Sequence, residues 1–216
     1  MHALRWRHGA PRLTSRGAPC CAFSRRRRGG QQRRGKAPAP ASAARKEHPY
    51  REEALAQLLG AQPRSLTLWL DGVQDPHNLG ACLRTADGAG CAAVVIPSRG
   101  AVGLTETVHS VARGAALAVP LIQVGSVAAA MKRCTELFGV QFVGLGDKAP
   151  KSLHDADLKQ PRHLGLVMGS EGEGLRQQTA QACQQLVAIP MAGRVPCLNV
   201  SVAAGVTLFE AVRQRS

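Results

Sequence analysis

Short apolar runs alternate with helical stretches along most of this chain, and this alternation constrains its fold more than any other feature. The runs that predict strands are residues 66–70, 93–96, 141–145, 164–168 and 186–189, with a weaker one near 118–122. The stretches that predict helices are residues 78–88, 105–113, 127–137, 174–182 and 199–213. Strands that are apolar on both faces belong in a parallel sheet with helices on both sides. The sequence therefore predicts an α/β fold, in which ligands bind at the loops beyond the carboxyl ends of the strands.

Positive charge is concentrated at the start of the chain. The 216 residues include 28 Lys and Arg against 14 Asp and Glu, a formal net charge of +14. Thirteen of the basic residues lie within residues 1–46, which contain no acidic residue, so the remaining 170 residues carry 15 basic and 14 acidic side chains. The folded part is therefore nearly neutral, which argues against a large basic surface on it. We expect a disordered basic tail at 1–46, a short helix and linker at 47–65, and one domain at 66–216.

Three interpretations of the tail remain open. It fits a flexible arm that contacts phosphates, and it also fits a mitochondrial presequence, because it is rich in Arg and free of acidic residues. The third interpretation is a solvated tail, or an extended gene start, with no role. The cytoplasm is the expected location, or the mitochondrial matrix if the tail is a presequence.

Composition argues against several other classes of protein. Only 3% of the residues are aromatic, too few for a base-stacking platform that binds single strands. No apolar run approaches the roughly 18–20 residues that span a bilayer, so no membrane partner is expected. The seven cysteines include no C-x-x-C pair, so no metal site is predicted, and a reducing compartment is the default.

The first loop of interest follows the strand at 66–70 and runs from Asp71 to Gly80. Asp75-Pro76 is a turn signal, and Asn78 or His77 can cap the helix that follows. Arg84 lies six residues after Asn78, so both side chains can reach the same loop region. The same residues also fit a plain helix cap and an exposed surface cation.

The second loop, residues 167–175, has three glycines within six residues between a strand and a helix. Backbone N–H groups at such a point can hold an anion or a polar ligand atom. The spacing is neither a dinucleotide-binding fingerprint nor a P-loop. Glu171 and Glu173 would repel a phosphate, which favours a ligand with positive charge or hydrogen-bond donors, although a plain glycine-rich turn also fits.

The third loop, residues 189–201, leads into a helix of small side chains. Pro190 and Gly193 end the strand, and Ala203, Ala204 and Gly205 permit close approach of another segment. This segment alone does not identify a function, because an ordinary closely packed helix would look the same.

Together the three loops resemble the sequence motifs of the SpoU/TrmH family of RNA 2′-O-methyltransferases, in the SPOUT superfamily. The matching segments are residues 70–84, 166–174, 189–193, 198–203 and 208–215, in the family's order and separation. Within the family, the run Asp-Pro-His-Asn-Leu-Gly-Ala-Cys-Leu-Arg is most similar to the bacterial 23S rRNA guanosine-2′-O-methyltransferases. The resemblance covers about residues 66–216.

The resemblance implies a SPOUT-type parallel sheet flanked by helices, with a C-terminal trefoil knot. It also implies S-adenosylmethionine as the cofactor, and a homodimer whose active site is completed across the subunit interface. The positions that match the family's cofactor contacts are Gly169, Ile189, Met191, Cys197 and Leu198. Those that match its catalytic polar positions are Asn78, Glu171, Asn199 and Arg84, the last of them near the ribose 2′-hydroxyl.

The chain also departs from the family pattern. Cys197 stands where relatives usually have Ser, and Pro196 stands where a small polar residue is common. Relatives of this subgroup commonly carry an N-terminal RNA-recognition domain, so recognition here is expected from the tail, the dimer surface or a partner. The alternative is that the chain is a truncated or mis-started product. The leading expectation is methylation of a ribose 2′-hydroxyl in 23S-type ribosomal RNA. The alternatives are a tRNA ribose 2′-O-methyltransferase and a non-catalytic RNA-binding or ribosome-assembly factor on the same fold.

Overall fold

The structure, a computed structural model, describes residues 49–170 and 172–216. The predictions for the tail at 1–46 and for Glu171 lie outside the described residues. Within them, eight parallel strands form one sheet in the order β1-β4-β3-β2-β7-β5-β8-β6. The strands are β1 Tyr50–Arg51, β2 Ser65–Asp71, β3 Ala93–Pro97, β4 Leu121–Val124, β5 Gln141–Leu145, β6 Lys151–Ser152, β7 His163–Gly169 and β8 Gln185–Ala188. The predicted α/β fold with a parallel sheet is confirmed.

Helices cover both faces of the sheet, and side chains of β2 alternate between the two resulting cores. Leu68 packs on one face with helices α2, α3, α4 and α7, whereas Trp69 packs on the other with α1, α5 and α6. The helices are α1 Glu52–Ala61, α2 Pro76–Gly88, α3 Glu106–Ala112, α4 Ala115–Ala118, α5 Val127–Phe138, α6 Gln177–Ala182 and α7 Val200–Arg215. This double coverage explains why the central strands are apolar throughout. The trefoil knot stays a prediction.

Some elements differ from the sequence prediction. The strand expected near 118–122 lies at Leu121–Val124, because the Ala-rich residues before it form the short helix α4. Helix α6 begins at Gln177 rather than at residue 174, since Gly172 and Gly174 have φ angles of +90° and +68°. The two-residue strands β1 and β6 and the 3₁₀ turn Leu153–Asp155 were not predicted, because such short segments show no periodicity.

The helix that follows the first loop is held closely against its neighbour. A Cβ atom added to Gly80 of α2 would lie 2.7 Å from the Cβ atom of Val111, so only glycine allows this approach to α3. Helix α2 also contacts α7, which brings the first and third loops into one region of the molecule. None of the helices formed by the described residues is long and apolar enough to cross a bilayer.

Candidate functional site

A cavity of about 770 Å³ opens at the carboxyl ends of β5, β7 and β8. Its walls come from the loops that follow these three strands and from the first turn of α7. The described residues that line it fall within 145–150, 168–175, 186–191 and 196–203, together with Ala180 of α6. The volume lies in the range of about 300–1,000 Å³ that small-molecule sites occupy. The cavity is therefore at the edge of the sheet where the fold predicts a ligand.

Backbone rather than side chains forms the wall of this cavity at the end of β7. Ser170 and Gly174 exchange two hydrogen bonds, N to O at 3.0 Å and 3.1 Å, so the loop folds back onto the strand end. A Cβ atom on Gly169 would overlap the carbonyl group of Gly174. Gly169 is thus explained by this close crossing of two backbone segments, whereas Gly172 and Gly174 are explained by their positive φ angles of +90° and +68°.

All five residues predicted to contact a cofactor line this one cavity, although they come from separate loops. They are Gly169, Ile189, Met191, Cys197 and Leu198. Cys197 is exposed, and Met191 keeps 37% of its surface accessible. Their convergence is a fact of the structure, whereas their binding of a cofactor stays a prediction.

Two of the predicted catalytic residues, Asn78 and Asn199, are in direct contact. Asn199 lines the cavity and caps α7, because its Oδ1 accepts hydrogen bonds from the backbone N of Ser201 at 2.9 Å and from its hydroxyl at 2.6 Å. The Nδ2 atom of Asn199 donates to the Oδ1 atom of Asn78 across 3.1 Å.

The predicted capping of α2 by Asn78 or His77 is wrong. Asp75 caps this helix by accepting from the backbone N of His77 at 2.9 Å.

Arg84 is placed differently from the two asparagines. Its side chain projects from α2 into solvent, it does not line the cavity, and it has no hydrogen bond or ion pair with any described residue. The structure therefore brings Asn78 and Asn199 together beside the cavity but leaves Arg84 of the same chain outside it. The position of Glu171 lies outside the described residues.

An apolar stripe lies on the outer face of α7. This helix packs against α2, the helix that carries Arg84. Val202, Val206 and Phe209 are 51%, 37% and 52% exposed, and their spacing places them on one side of the helix. A Cβ atom on Gly88, at the end of α2, would lie 3.7 Å from the ring of Phe209. The stripe therefore borders α2.

Sequence reasoning missed two parts of the site. Residues 145–150, including the charged Asp147 and Lys148, line the cavity, and their position after a predicted strand was an available signal. The buried carboxylate of Asp71 forms an ion pair with Arg176, 3.2 Å between Oδ1 and Nη1. Nothing in the sequence pairs these two residues, which are distant along the chain.

Two cysteine thiols are held in the protonated form by their surroundings. Burial, and then the charge of Asp71, raises the pKa of Cys183 to about 12, and burial raises that of Cys91 to about 12. Both stay protonated at neutral pH, whereas a nucleophilic cysteine must be a thiolate.

Among the described residues, no group of three or more His, Cys, Asp or Glu side chains could hold a metal ion.

Known proteins resemble this chain in sequence. Residues 65–209 match the family described as the SpoU rRNA Methylase family. A relative from Ralstonia nicotianae, named 23S rRNA (guanosine-2′-O-)-methyltransferase RlmB, is 54% identical over 157 residues. The match covers 73% of this chain and 62% of the relative, so the chain spans less than two thirds of that protein.

Solved structures resemble it as well. The SpoU methyltransferase AviRb from Streptomyces viridochromogenes, in complex with AdoMet, has a TM-score of 0.66 and 26% identity, covering 74% of this chain and 64% of that one. The AdoMet-bound rRNA methyltransferase from Sinorhizobium meliloti has a TM-score of 0.66 and 30% identity, covering 72% and 59%.

Proposed function

The chain belongs to the SpoU rRNA methylase family, and from this we propose that it is an S-adenosylmethionine-dependent RNA methyltransferase that acts on a ribose 2′-hydroxyl. The proposed substrate is a guanosine of 23S-type ribosomal RNA, because the Ralstonia relative at 54% identity is named for that reaction. The observation that carries the proposal is that the second and third loops line one cavity, while Asn199 joins them to the first loop through Asn78.

The residues around the cavity fit the cofactor. The aliphatic side chains of Ile189 and Leu198 offer an apolar surface for an adenine ring, and Gly169 lets residues 174 and 175 pack directly against the end of β7. Asp147 and Glu173 add carboxylates that suit the positive sulfonium group. On this proposal the cofactor is held by Gly169, Ile189, Met191, Cys197 and Leu198. When bound, it supplies an activated methyl group, while the protein supplies placement and electrostatics.

The chemistry requires an oriented hydroxyl group and an acceptor for its proton. A ribose 2′-hydroxyl is a poor nucleophile at neutral pH, so its placement and deprotonation limit the reaction. A guanidinium group is effectively always protonated in proteins. We therefore assign Arg84 the role of orienting the ribose and stabilising developing negative charge, while the proton of the hydroxyl group passes to solvent water. Asn78 and Asn199 hold the start of α2 against the start of α7 beside the cavity. Glu171 is assigned by resemblance to steadying Arg84 or the positive end of the cofactor.

The proposed assembly is a homodimer formed through α7. The stripe of Val202, Val206 and Phe209 is half exposed, and a contiguous apolar surface on a soluble protein marks an interaction site. Arg84 lies on the neighbouring helix α2 and outside the cavity of its own chain. A second copy seated on α7 would cover the stripe and present its Arg84 to the cavity of the first copy. This arrangement would explain why one chain alone does not assemble the predicted catalytic residues.

The direct test is methyl transfer to 23S rRNA. We expect purified protein to bind S-adenosylmethionine by calorimetry and to transfer labelled methyl groups to unmodified 23S rRNA, with one protected ribose found by mapping alkaline-resistant linkages. Unmodified tRNA serves as the comparison substrate, and preferential labelling of tRNA would replace the substrate assignment. A protein that binds RNA but not the cofactor would contradict the proposal and favour an assembly factor.

A further inference from the structure

A buried carboxylate at the end of the central strand β2 is not explained by the proposed chemistry. Asp71 is 1% exposed, and it is the only buried carboxylate among the described residues. Neither of its oxygen atoms has a hydrogen-bond partner within the described part of the chain, and the Nη1 atom of Arg176 lies 3.2 Å from Oδ1. The contact is thus ionic rather than a directed hydrogen bond. The Arg176 side chain is 54% exposed, and an ion pair with an exposed partner contributes little stability, so stability alone does not explain this buried carboxylate.

Arg176 lies immediately after the loop that forms the cavity wall. It precedes α6, and its guanidinium group reaches back between two other loops. Its Nη2 atom lies 3.3 Å from where a Cβ atom of Gly72 would be and 3.4 Å from that of Gly100. Both glycines have positive φ angles, +94° and +73°, so the slot for the guanidinium group depends on their conformation and their lack of a side chain.

Asp71 therefore contacts both ends of the cavity loop. Its backbone is paired in register with Gly169, where the loop begins, and its side chain is paired with Arg176, where the loop ends. Asp71 also leads directly into Gly72 and the first loop, which continues to Asn78. One residue thus connects the wall of the cavity to the segment that carries the substrate-side asparagine.

We propose that Asp71 and Arg176 are positioning residues, whose ion pair ties the described residues 172–176 to the end of β2 and thereby fixes the cavity for the cofactor. Neither residue lines the cavity, so they act through the loop rather than by touching the ligand. The inference rests on the proposed function, because it takes this cavity as the cofactor site.

Variants of the pair separate a positioning role from simple stabilisation. Arg176→Gln leaves a buried carboxylate without its cation and should lower the melting temperature. The double variant Asp71→Asn/Arg176→Gln removes both charges and should recover most of that loss, since no buried charge is then left without its partner. Its affinity for S-adenosylmethionine should nevertheless stay about ten-fold or more below wild type, because the loop is no longer held in place. Arg176→Lys keeps the charge but not the forked shape, so we expect it to fold and to lose affinity by a smaller factor.

The matched control is the ion pair of Glu52 and Arg133, which joins α1 to α5. Arg133 is about as exposed as Arg176, 51% against 54%, but its carboxylate partner is partly exposed instead of buried. We expect Glu52→Gln/Arg133→Gln to leave cofactor affinity unchanged.

Hydrogen exchange without any ligand distinguishes failure of this inference from failure of the proposed function. The amides of Ser170 and Gly174 are hydrogen-bonded across the loop. Their hydrogen exchange should be about ten-fold faster in Arg176→Gln and in the double variant. In Arg176→Lys the increase should be smaller. Wild-type protein that fails to bind the cofactor would refute the proposed function, while faster exchange would still support the closing role. Unchanged exchange in Arg176→Lys, or a stable double variant with wild-type cofactor affinity, would overturn the inference.

Discussion

The side-chain amide of Asn199 donates a hydrogen bond to the side-chain oxygen of Asn78 across 3.1 Å, which ties the start of α7 to the first turn of α2. Asn78 is buried, at 7% exposure, and the two residues come from the first and third loops. This contact links the first loop directly to the cavity.

The first prediction is that Asn78 and Asn199 are energetically coupled. Asn78→Ala removes an acceptor and should cost about 1 kcal/mol of unfolding free energy, as a typical hydrogen bond does. Asn199→Ala should cost more, because it also removes the α7 cap, itself worth about 1 kcal/mol. Urea unfolding of both single variants and the double variant should give a coupling energy of at least about 0.5 kcal/mol. Additive effects would show that the two side chains act independently.

The fold was largely readable from the sequence because the central strands are buried on both faces. Each one appears as a short apolar run between turn signals, and β5 was predicted at its observed bounds, Gln141–Leu145. The edges were not readable, since β1 and β6 have two residues each and form only by pairing with β4 and β8. A local sequence pattern identifies a strand or helix whose own residues favour it. It does not reveal a short edge strand that forms only by pairing with a neighbouring strand.

The sequence predicted only part of the site, because local pattern does not show contacts between distant segments. Resemblance selected residues that the structure collects around one cavity, such as Gly169 and Leu198. Helix capping by Asp75 rather than by Asn78, and the ion pair of Asp71 with Arg176, depend on geometry that spacing does not specify.

The second prediction concerns the backbone crossing at Gly169. Gly169→Ala places a methyl group against the carbonyl of Gly174, and backbone cannot yield as a flexible side chain would. We expect far-ultraviolet circular dichroism to show that the variant keeps its secondary structure. Calorimetry should show that it binds S-adenosylmethionine at least about ten-fold more weakly. Gly103→Ala is the matched control, because a Cβ atom there meets nothing within 4 Å and the residue lacks a positive φ angle. Equal affinities of the two variants would refute the steric argument.

The third prediction is a loss of stability in acid that depends on His163. Burial first, and then the charges of Arg162 and Arg215, lower the pKa of His163 below its usual value, and Ser65 Oγ lies 2.8 Å from Nδ1. The unfolded chain therefore binds a proton more readily than the folded chain. This contribution to stability is complete above about pH 6.5 and is lost as the pH falls toward the folded-state pKa.

Unfolding by urea at pH 7.5 and pH 5 measures this effect. The wild-type protein should lose more stability between the two pH values than His163→Gln, in which the titrating group is absent. His154→Gln, at an exposed position, should behave like the wild type. An identical pH dependence of the wild type and His163→Gln would contradict the assignment.

The fourth prediction concerns the basic tail. Removal of residues 1–46 takes away 13 cationic side chains and should weaken binding to RNA while leaving S-adenosylmethionine affinity unchanged. The slope of log affinity against log salt should become shallower by about 0.7 for each phosphate of single-stranded RNA that the tail no longer neutralises. Fluorescence anisotropy over a range of salt concentrations gives this slope. An unchanged slope would remove the tail from RNA binding and leave targeting, or no function, as its interpretation.

The fifth prediction is that Arg84 completes the active site of the other copy in the proposed dimer. Arg84→Ala should abolish most methyl transfer but keep cofactor affinity, because the substitution leaves every residue that lines the cavity unchanged. Gly169→Val should abolish transfer by displacing the backbone of Gly174 and so disrupting the cavity wall, with Arg84 intact. After equal amounts of the two inactive variants are mixed and allowed to exchange subunits, about half of the dimers are mixed, and each contains one complete site. We expect recovery of about one quarter of wild-type activity. If Arg84 instead serves its own cavity, no mixed dimer has a complete site and no activity returns.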